Sequence, residues 1–223
     1  SAYHLFLADI DGDGDMDIAS ASYLDDTIAW YENNGAADPS FTKAVIATSA
    51  DGAHGVYVAD MDGDGDLDIV SASQLDDTVA WYENDGAADP SFTAANIVTN
   101  ADEIESVYVA DLDGDGDMDI LSASGGDDTI AWYESDGEAN PSWTKRVIAT
   151  SADAAADVFA ADMDGDGDLD VVSASVNDDT IAWYENDGAN DPNFTAVDIS
   201  TTADSANGVF VADIDGDGDL DII

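Results

Sequence analysis

Cysteine is absent from this chain, so disulfides, thiolate metal centres and thiol redox chemistry are all unavailable to it. Basic residues are nearly absent as well: three Lys and Arg stand against 52 Asp and Glu, for a formal net charge of −49. A field of that sign repels DNA, RNA and anionic membrane surfaces, which excludes polyanionic partners. The only two histidines, His4 and His54, fall at different places in the pattern described below and have no recurring partner. No Ser-His-Asp arrangement, phosphate-binding loop or isolated activated nucleophile emerges, so no catalytic residue is expected and the chain reads as a non-enzyme. No apolar run approaches the roughly 18 residues of a membrane span, so direct membrane insertion is not expected. No leader sequence is visible at Ser1. Sustained 3.6-residue periodicity is missing too, which argues against helical repeats.

What the chain does have is repetition. Asp9-Ile10-Asp11-Gly12-Asp13-Gly14-Asp15-Met16-Asp17 returns from Asp60, Asp111, Asp162 and Asp213, always 51 residues on and without insertion or deletion. A sustained period of this length marks a repeat protein. The chain divides into repeats 1–51, 52–102, 103–153 and 154–204, with a partial fifth at 205–223, together one repeat domain. Within the second copy, strands are expected over 55–59, 68–73, 78–83 and 92–99. Each is rich in β-branched and aromatic residues, and Asn84-Asp85-Gly86 and Asp89-Pro90-Ser91 mark turns. Four strands per unit and a period near 50 predict an all-β fold, a β-propeller of four-stranded antiparallel blades, with the acidic loop between the first and second strands. Because Ile223 falls within a strand, the chain is expected to be a piece of a longer one, from a ring of about six to eight blades. A five-bladed ring with an incomplete blade is the alternative.

The acidic loop has the chemistry of a hard-cation site. Aspartates at loop positions 1, 3 and 5 converge when glycines let the backbone curl, because glycine alone accepts positive φ without penalty. Position 7 offers a backbone carbonyl and position 9 a closing carboxylate. Candidate ligands are therefore Asp9, Asp11, Asp13, Asp15 and Asp17 in the first loop, and Asp60, Asp62, Asp64, Asp66 and Asp68 in the second. Asp111, Asp113, Asp115, Asp117 and Asp119 form the third set, and Asp162, Asp164, Asp166, Asp168 and Asp170 the fourth. Asp213, Asp215, Asp217, Asp219 and Asp221 complete the fifth. An all-oxygen, carboxylate-rich donor set selects Ca2+ over transition metals and over Mg2+, which holds its water and demands a stricter octahedron. About one calcium ion per loop is expected. The competing reading, a solvated Asp-Gly hairpin turn, suits a single copy but not five with every Asp kept. An EF-hand is a poor match: it needs Glu at position 12, where this chain has Ser20, Ser71, Ser122 and Ser173, and it needs flanking helices.

The segment Ala59-Asp60-Met61-Asp62-Gly63-Asp64-Gly65-Asp66-Leu67-Asp68-Ile69-Val70 resembles the calcium hairpin of FG-GAP/VCBS repeats. Such repeats build the β-propeller of integrin α-subunits and occur in many secreted proteins. The resemblance extends over the whole chain and is closest to the aspartate-rich, VCBS-like branch; the Phe-Gly and Gly-Ala-Pro signatures are absent. It implies that the acidic loops lie on the lower face of the propeller, joining the innermost strand of each blade to the second. It also implies that partners bind the upper face.

Other recurring residues admit two readings each. Trp30, Trp81, Trp132 and Trp183 sit in Ala-Trp-Tyr-Glu and serve either as packing between blades or as a sugar-stacking platform. Asp25-Asp26-Thr27 and its equivalents either cap backbone amides in a turn or form a minor cation site. Asn193-Phe194-Thr195 is the one N-glycosylation sequon. Variation concentrates in two stretches: Tyr23-Leu24, Gln74-Leu75, Gly125-Gly126 and Val176-Asn177 before the third strand, and Tyr3-His4, His54-Gly55, Glu105-Ser106 and Ala156-Asp157 before the first.

These features predict a secreted, extracellular calcium-binding repeat protein that acts in adhesion, recognition or scaffolding. Its partners are then a protein or glycan ligand on the face opposite the calcium loops, or further copies of itself. The alternative is a structural subunit of an extracellular filament, sheath or appendage. A lectin propeller, or the non-catalytic module of a secreted enzyme, is a more distant alternative.

Overall fold

Alternation of β-branched and small residues between Asp-Gly turns produces strands throughout the chain. The computed structural model describes residues 2–223 and holds no helix among them. The first repeat gives β1 (Ala2–Ala8), β2 (Asp17–Ser22), β3 (Thr27–Asn33) and β4 (Phe41–Ala47). The second gives β5 (Ala53–Ala59), β6 (Asp68–Ser73), β7 (Thr78–Asn84) and β8 (Phe92–Val98). In the third are β9 (Ile104–Ala110), β10 (Asp119–Ser124), β11 (Thr129–Ser135) and β12 (Trp143–Ala149). The fourth holds β13 (Ala155–Ala161), β14 (Asp170–Ser175), β15 (Thr180–Asn186) and β16 (Phe194–Ser200), and a short hairpin of β17 (Val211–Ala212) and β18 (Asp221–Ile222) follows. Each full repeat is one four-stranded sheet in chain order. The strands expected in the second repeat agree with β5–β8 to within two residues at every end.

Register is the same from sheet to sheet. Ala59 pairs with Asp68 beside the acidic loop, Ser73 with Thr78 beside the tight turn, and Asn84 with Phe92 at the outer hairpin. The first strands β1, β5 and β13 each have an irregularity near their start, between Ala2 and His4, Ala53 and Gly55, and Ala155 and Asp157. A second falls at Val79–Ala80 and its equivalents. One extra residue at such a point bends the strand and increases its twist.

The chain folds as two compact units, Ser1–Val107 with Gly137–Ser142 and Tyr108–Asp136 with Trp143–Ile223. In the first, β5 packs over β1 and β2, and Val56, Val58 and Ile69 are buried against Ala19, Ala21, Ile28 and Trp30. In the second, β13 packs over β10 and β11, and Val158 and Ala160 close on Leu121, Ala123, Ile130 and Trp132. The short hairpin then buries Val209 and Val211 on Val172 and Ala174. Within each unit, the covering strand, β5 or β13, therefore lays the same face on the preceding sheet. Middle strands such as β6 and β10 are buried along their whole length, which explains their unbroken small and apolar runs. Among the described residues, no helix is long and apolar enough to cross a membrane.

Candidate metal centres

Each acidic loop hangs between the first and second strands of its repeat, and its shape follows from short-range hydrogen bonds. In the second loop, Asp60 accepts from the N–H groups of Gly63 and Asp64 on Oδ1 (2.9 and 3.1 Å) and from Gly65 on Oδ2 (3.0 Å). Asp62 and Asp64 each accept from the amide two residues on. These nested side-chain turns curl the loop tightly and bring carboxylates of the loop together. The curl needs positive φ at both glycines, +73° at Gly63 and +98° at Gly65. No atom lies near either glycine's missing Cβ, so the requirement is conformational and not steric.

The result is five clusters in which one carboxylate oxygen from each of three residues lies within 4.8 Å of the others: Asp9–Asp11–Asp13, Asp60–Asp62–Asp68, Asp111–Asp113–Asp115, Asp162–Asp164–Asp166 and Asp213–Asp215–Asp221. Each such cluster can hold a metal ion. The donor set is all oxygen and multiply charged, which suits a hard divalent cation. Asp9 Oδ1 is buried without a hydrogen-bond partner, an unmet acceptor that a cation would satisfy. Crowding leaves its mark on the proton affinities. Asp11, Asp62 and Asp113 are raised above the ordinary carboxylate value by partial burial, with neighbouring aspartates adding to it.

Two positions of the expected ligand set are placed differently from the rest. At position 7, the carboxylates of Asp15, Asp66 and Asp168 lie over Gly35, Gly86 and Gly188, in the space a side chain there would fill. Asp117 and Asp219, at the same position, also stand outside the three-residue clusters. At position 9, Asp17, Asp68, Asp119 and Asp170 are buried and bind backbone on both oxygens. Asp68 Oδ2 accepts from Met61 N (3.1 Å) and Oδ1 from Asn84 N (2.8 Å). Asp119 repeats this with Leu112 and Ser135, and Asp170 with Met163 and Asn186. This carboxylate ties the loop to the third strand, and in Asp68 and Asp221 it also joins the cluster. Burial pushes Asp68 and Asp119 up to about 7 and raises Asp170 as well.

Asn84, read from the sequence only as the start of a turn, also joins neighbouring repeats. Its Nδ2 donates to Leu67 O in its own loop and to Ile10 O in the preceding one, at 3.0 and 3.2 Å. Asn186 does the same to Leu169 O and Leu112 O. The signal was present: Asn or Ser follows Trp-Tyr-Glu in every full repeat.

The tryptophans resolve in favour of packing. Trp30, Trp81 and Trp132 are buried, Trp183 is partly buried against a core cluster, and Phe92 closes edge-on over Trp30 with ring centroids 6.4 Å apart. The Asp-Asp-Thr segment binds backbone: Thr27 Oγ1 donates to Asp25 O at 2.7 Å, and the Asp26 carboxylate accepts from Gly52 N. The histidines are structural links: His4 Nδ1 lies 3.0 Å from Val56 O and His54 Nδ1 2.7 Å from Glu105 O.

The model of the FG-GAP-like repeat matches this chain four times, over residues 9–71, 60–122, 111–173 and 164–223. The chain belongs to the FG-GAP-like repeat family. Each match to the FG-GAP-like repeat begins in or at one acidic loop and runs into the strand after the next, so the family's unit contains the loops and sheets described above. Among solved structures, the FG-GAP-like chain is similar to a protein from Lactobacillus plantarum, with a TM-score of 0.56 and 19% identity over 83% of this chain and 54% of that one. At that identity the likeness is one of fold. The V. cholerae biofilm matrix protein Bap1 aligns with a TM-score of 0.44 and 17% identity, over 93% of this chain and 40% of its own. The chain thus spans about half the length of the first and two fifths of the second. It matches no curated protein.

Proposed function

We propose that this chain is a secreted, calcium-binding β-propeller repeat protein that acts in adhesion, recognition or extracellular scaffolding, without catalytic activity. The observation that carries the reading is the fivefold convergence of aspartate oxygens to within 4.8 Å, at the same point between the first and second strands of each repeat. FG-GAP-like repeats often bind calcium, and the donor set fits that ion. Calcium then acts as a staple: it neutralises carboxylates that otherwise repel one another, in a chain with no disulfide and almost no basic residue to do so. Binding of the ion to the folded loops alone would stabilise the fold by mass action.

A protein or glycan partner fits the end of each sheet opposite the acidic loops. Support comes from the variable residues there, which the first unit gathers into a cluster. The Tyr3 ring lies 4.4 Å from His54 and 5.3 Å from Tyr23, and Gln74 donates to Glu105 at 3.0 Å beside them. The exposed Tyr3 and the half-buried Tyr23, with adjacent amide and carboxylate groups, offer both a stacking surface and hydrogen bonds.

The deciding experiment is a calcium titration followed by circular dichroism and light scattering, with EDTA as control. A gain of β-structure into a compact particle is the expected result. An unchanged spectrum and thermal midpoint on chelation would sink the calcium reading.

A further inference from the structure

We propose that Asn34-Gly35 is a site of spontaneous deamidation, and that the hairpin between β3 and β4 is shaped to hold the aspartate that results. The inference stands apart from the calcium reading. The sequence has two Asn-Gly pairs, Asn34-Gly35 and Asn207-Gly208, and only Asn34 stands where the other repeats have aspartate: Asp85, Asp136 and Asp187. Asparagine is among the chemically least durable side chains. A glycine after it leaves the next backbone nitrogen without a Cβ to block its approach. Asn34 and Gly35 are both exposed, and the Gly35 N–H is held by a long bond, 3.3 Å, to Asn33 Oδ1.

The reaction consumes only water. The Gly35 nitrogen gives up its proton to solvent and attacks Asn34 Cγ; the bond from Cγ to the side-chain nitrogen breaks, and ammonia leaves with a proton taken from water. The product is a cyclic succinimide. Water then adds to one of its two carbonyls. Breaking the new Cγ–N bond gives aspartate on the original backbone. Breaking the original peptide bond gives isoaspartate, whose main chain runs through the former side chain.

The second and fourth repeats show which product the hairpin fits. Asp85 Oδ1 accepts from Ala87 N and Ser91 N at 3.2 and 3.1 Å, and its Oδ2 accepts from Ser91 Oγ. Asp187 Oδ1 accepts from Ala189 N and Asn193 N at 3.3 and 3.0 Å, and its Oδ2 from Asn193 Nδ2 at 2.9 Å. Donation by Ser91 to Asp85, and by Asn193 to Asp187, holds both carboxyls below the ordinary carboxylate value. Asn34 already occupies the same cradle: its Oδ1 accepts from Ala36 N and Ser40 N at 3.3 and 3.0 Å, and its N–H donates to Ser40 O at 3.2 Å. Ser40 stands in the place of Ser91, so aspartate at this position gains the Ser40 Oγ bond as well. Isoaspartate puts an extra methylene into the main chain before Gly35. That glycine sits at φ +61° under the Asp15 carboxylate, which leaves no room even for a Cβ. The hairpin therefore accommodates aspartate and rejects isoaspartate.

The test is to hold the chain at mildly alkaline pH in a buffer where circular dichroism shows the native spectrum, beside a second sample unfolded in guanidinium. Digestion and electron-transfer mass spectrometry then read amide loss at residue 34 and the ratio of aspartate to isoaspartate. Asn34 is expected to convert in the folded chain, several-fold more to aspartate than to isoaspartate, with the ratio reversed in the unfolded sample. Asn34→Gln, whose cyclisation needs a larger and slower ring, should keep the native spectrum and lose the mass change in this peptide. Asn34→Asp should unfold at a urea midpoint equal to or above that of wild type. An Asn34 that stays intact in the folded chain over the time in which the unfolded sample converts would overturn the proposal. So would the same product ratio in both samples, or a lower urea midpoint for Asn34→Asp.

Discussion

The side chain of Asp26 accepts a hydrogen bond from the backbone N–H of Gly52 at 3.1 Å, and so fastens the turn after β2 to the first residue of the next repeat. Asp26 O also accepts from Ala50 N at 3.1 Å. The pair recurs as Asp77 with Glu103, Asp128 with Ala154 and Asp179 with Ser205, at 3.0, 3.0 and 2.9 Å. All four aspartates are held at positive φ, between 53° and 58°, a conformation Asp tolerates better than most residues. Each repeat therefore sets the starting point of its successor.

Replacing one of these latches separates capping from ion binding. Asp77→Ala should cost roughly 2 kcal/mol, from the lost acceptor and the strain of alanine at positive φ. Asp77→Asn keeps both the acceptor and the tolerance, and should be close to neutral. Urea midpoints in calcium and in EDTA should show the same difference between the two variants, since the latch lies away from the acidic loops.

Removing one ligand should remove one ion. Asp62 accepts only the 3.3 Å bond from Asp64 N within its loop, whereas Asp60 accepts three backbone bonds. Asp62→Asn should therefore leave the fold intact and lower the calcium stoichiometry by one in isothermal titration. At calcium tenfold above the dissociation constant, the lost site should cost ~1.4 kcal/mol.

Stability should respond to pH with opposite signs in the two conditions. Without metal, Asp68 and Asp119 are raised by burial to about 7, so the folded state favours their protonated form. That contribution is fully present below the ordinary carboxylate value of 3.8 and is lost as pH rises through about 7. In EDTA the thermal midpoint should fall as pH rises across this window. In excess calcium the ion competes with protons for the carboxylates, so the midpoint should fall as pH drops. Parallel melts at several pH values check both slopes.

The first residue of each later repeat offers a paired test of backbone strain. Gly52 sits at φ +67°, and a Cβ there would lie 2.6 Å from Leu75 Cγ. Gly52→Ala should destabilise by about 1–2 kcal/mol. Ala154 occupies the same place at φ 55°, and Ala154→Gly should stabilise by up to about 1 kcal/mol. Thermal midpoints moving in the same direction for both would contradict this account.

Much of the architecture was legible in the sequence. The 51-residue period, the four strands per repeat and the acidic loops are all encoded within windows of a few residues. Asp-Gly alternation, strand composition and turn residues act there through local sterics and short hydrogen bonds. Asp68 shows where that legibility stops. Its place in the motif marks it as a ligand, but only the structure reveals that both its oxygens also hold backbone, one of them sixteen residues away on Asn84. Trp81 is a similar case: one strand pattern serves a buried wall or a sugar platform, and its burial decides between them.

The sequence by itself determined the repeat, its β character and the clustering of carboxylates, because each depends on neighbours along the chain. Tertiary structure alone decided the contacts that join repeats: Asp26 to Gly52, His4 to Val56 and Asn84 to Ile10. These span 26, 52 and 74 residues, and their partners are backbone groups that any residue could supply. Nothing in the identity of Gly52, Val56 or Ile10 announces the bond. It exists because one sheet, once packed on the next, brings that carbonyl or amide within reach.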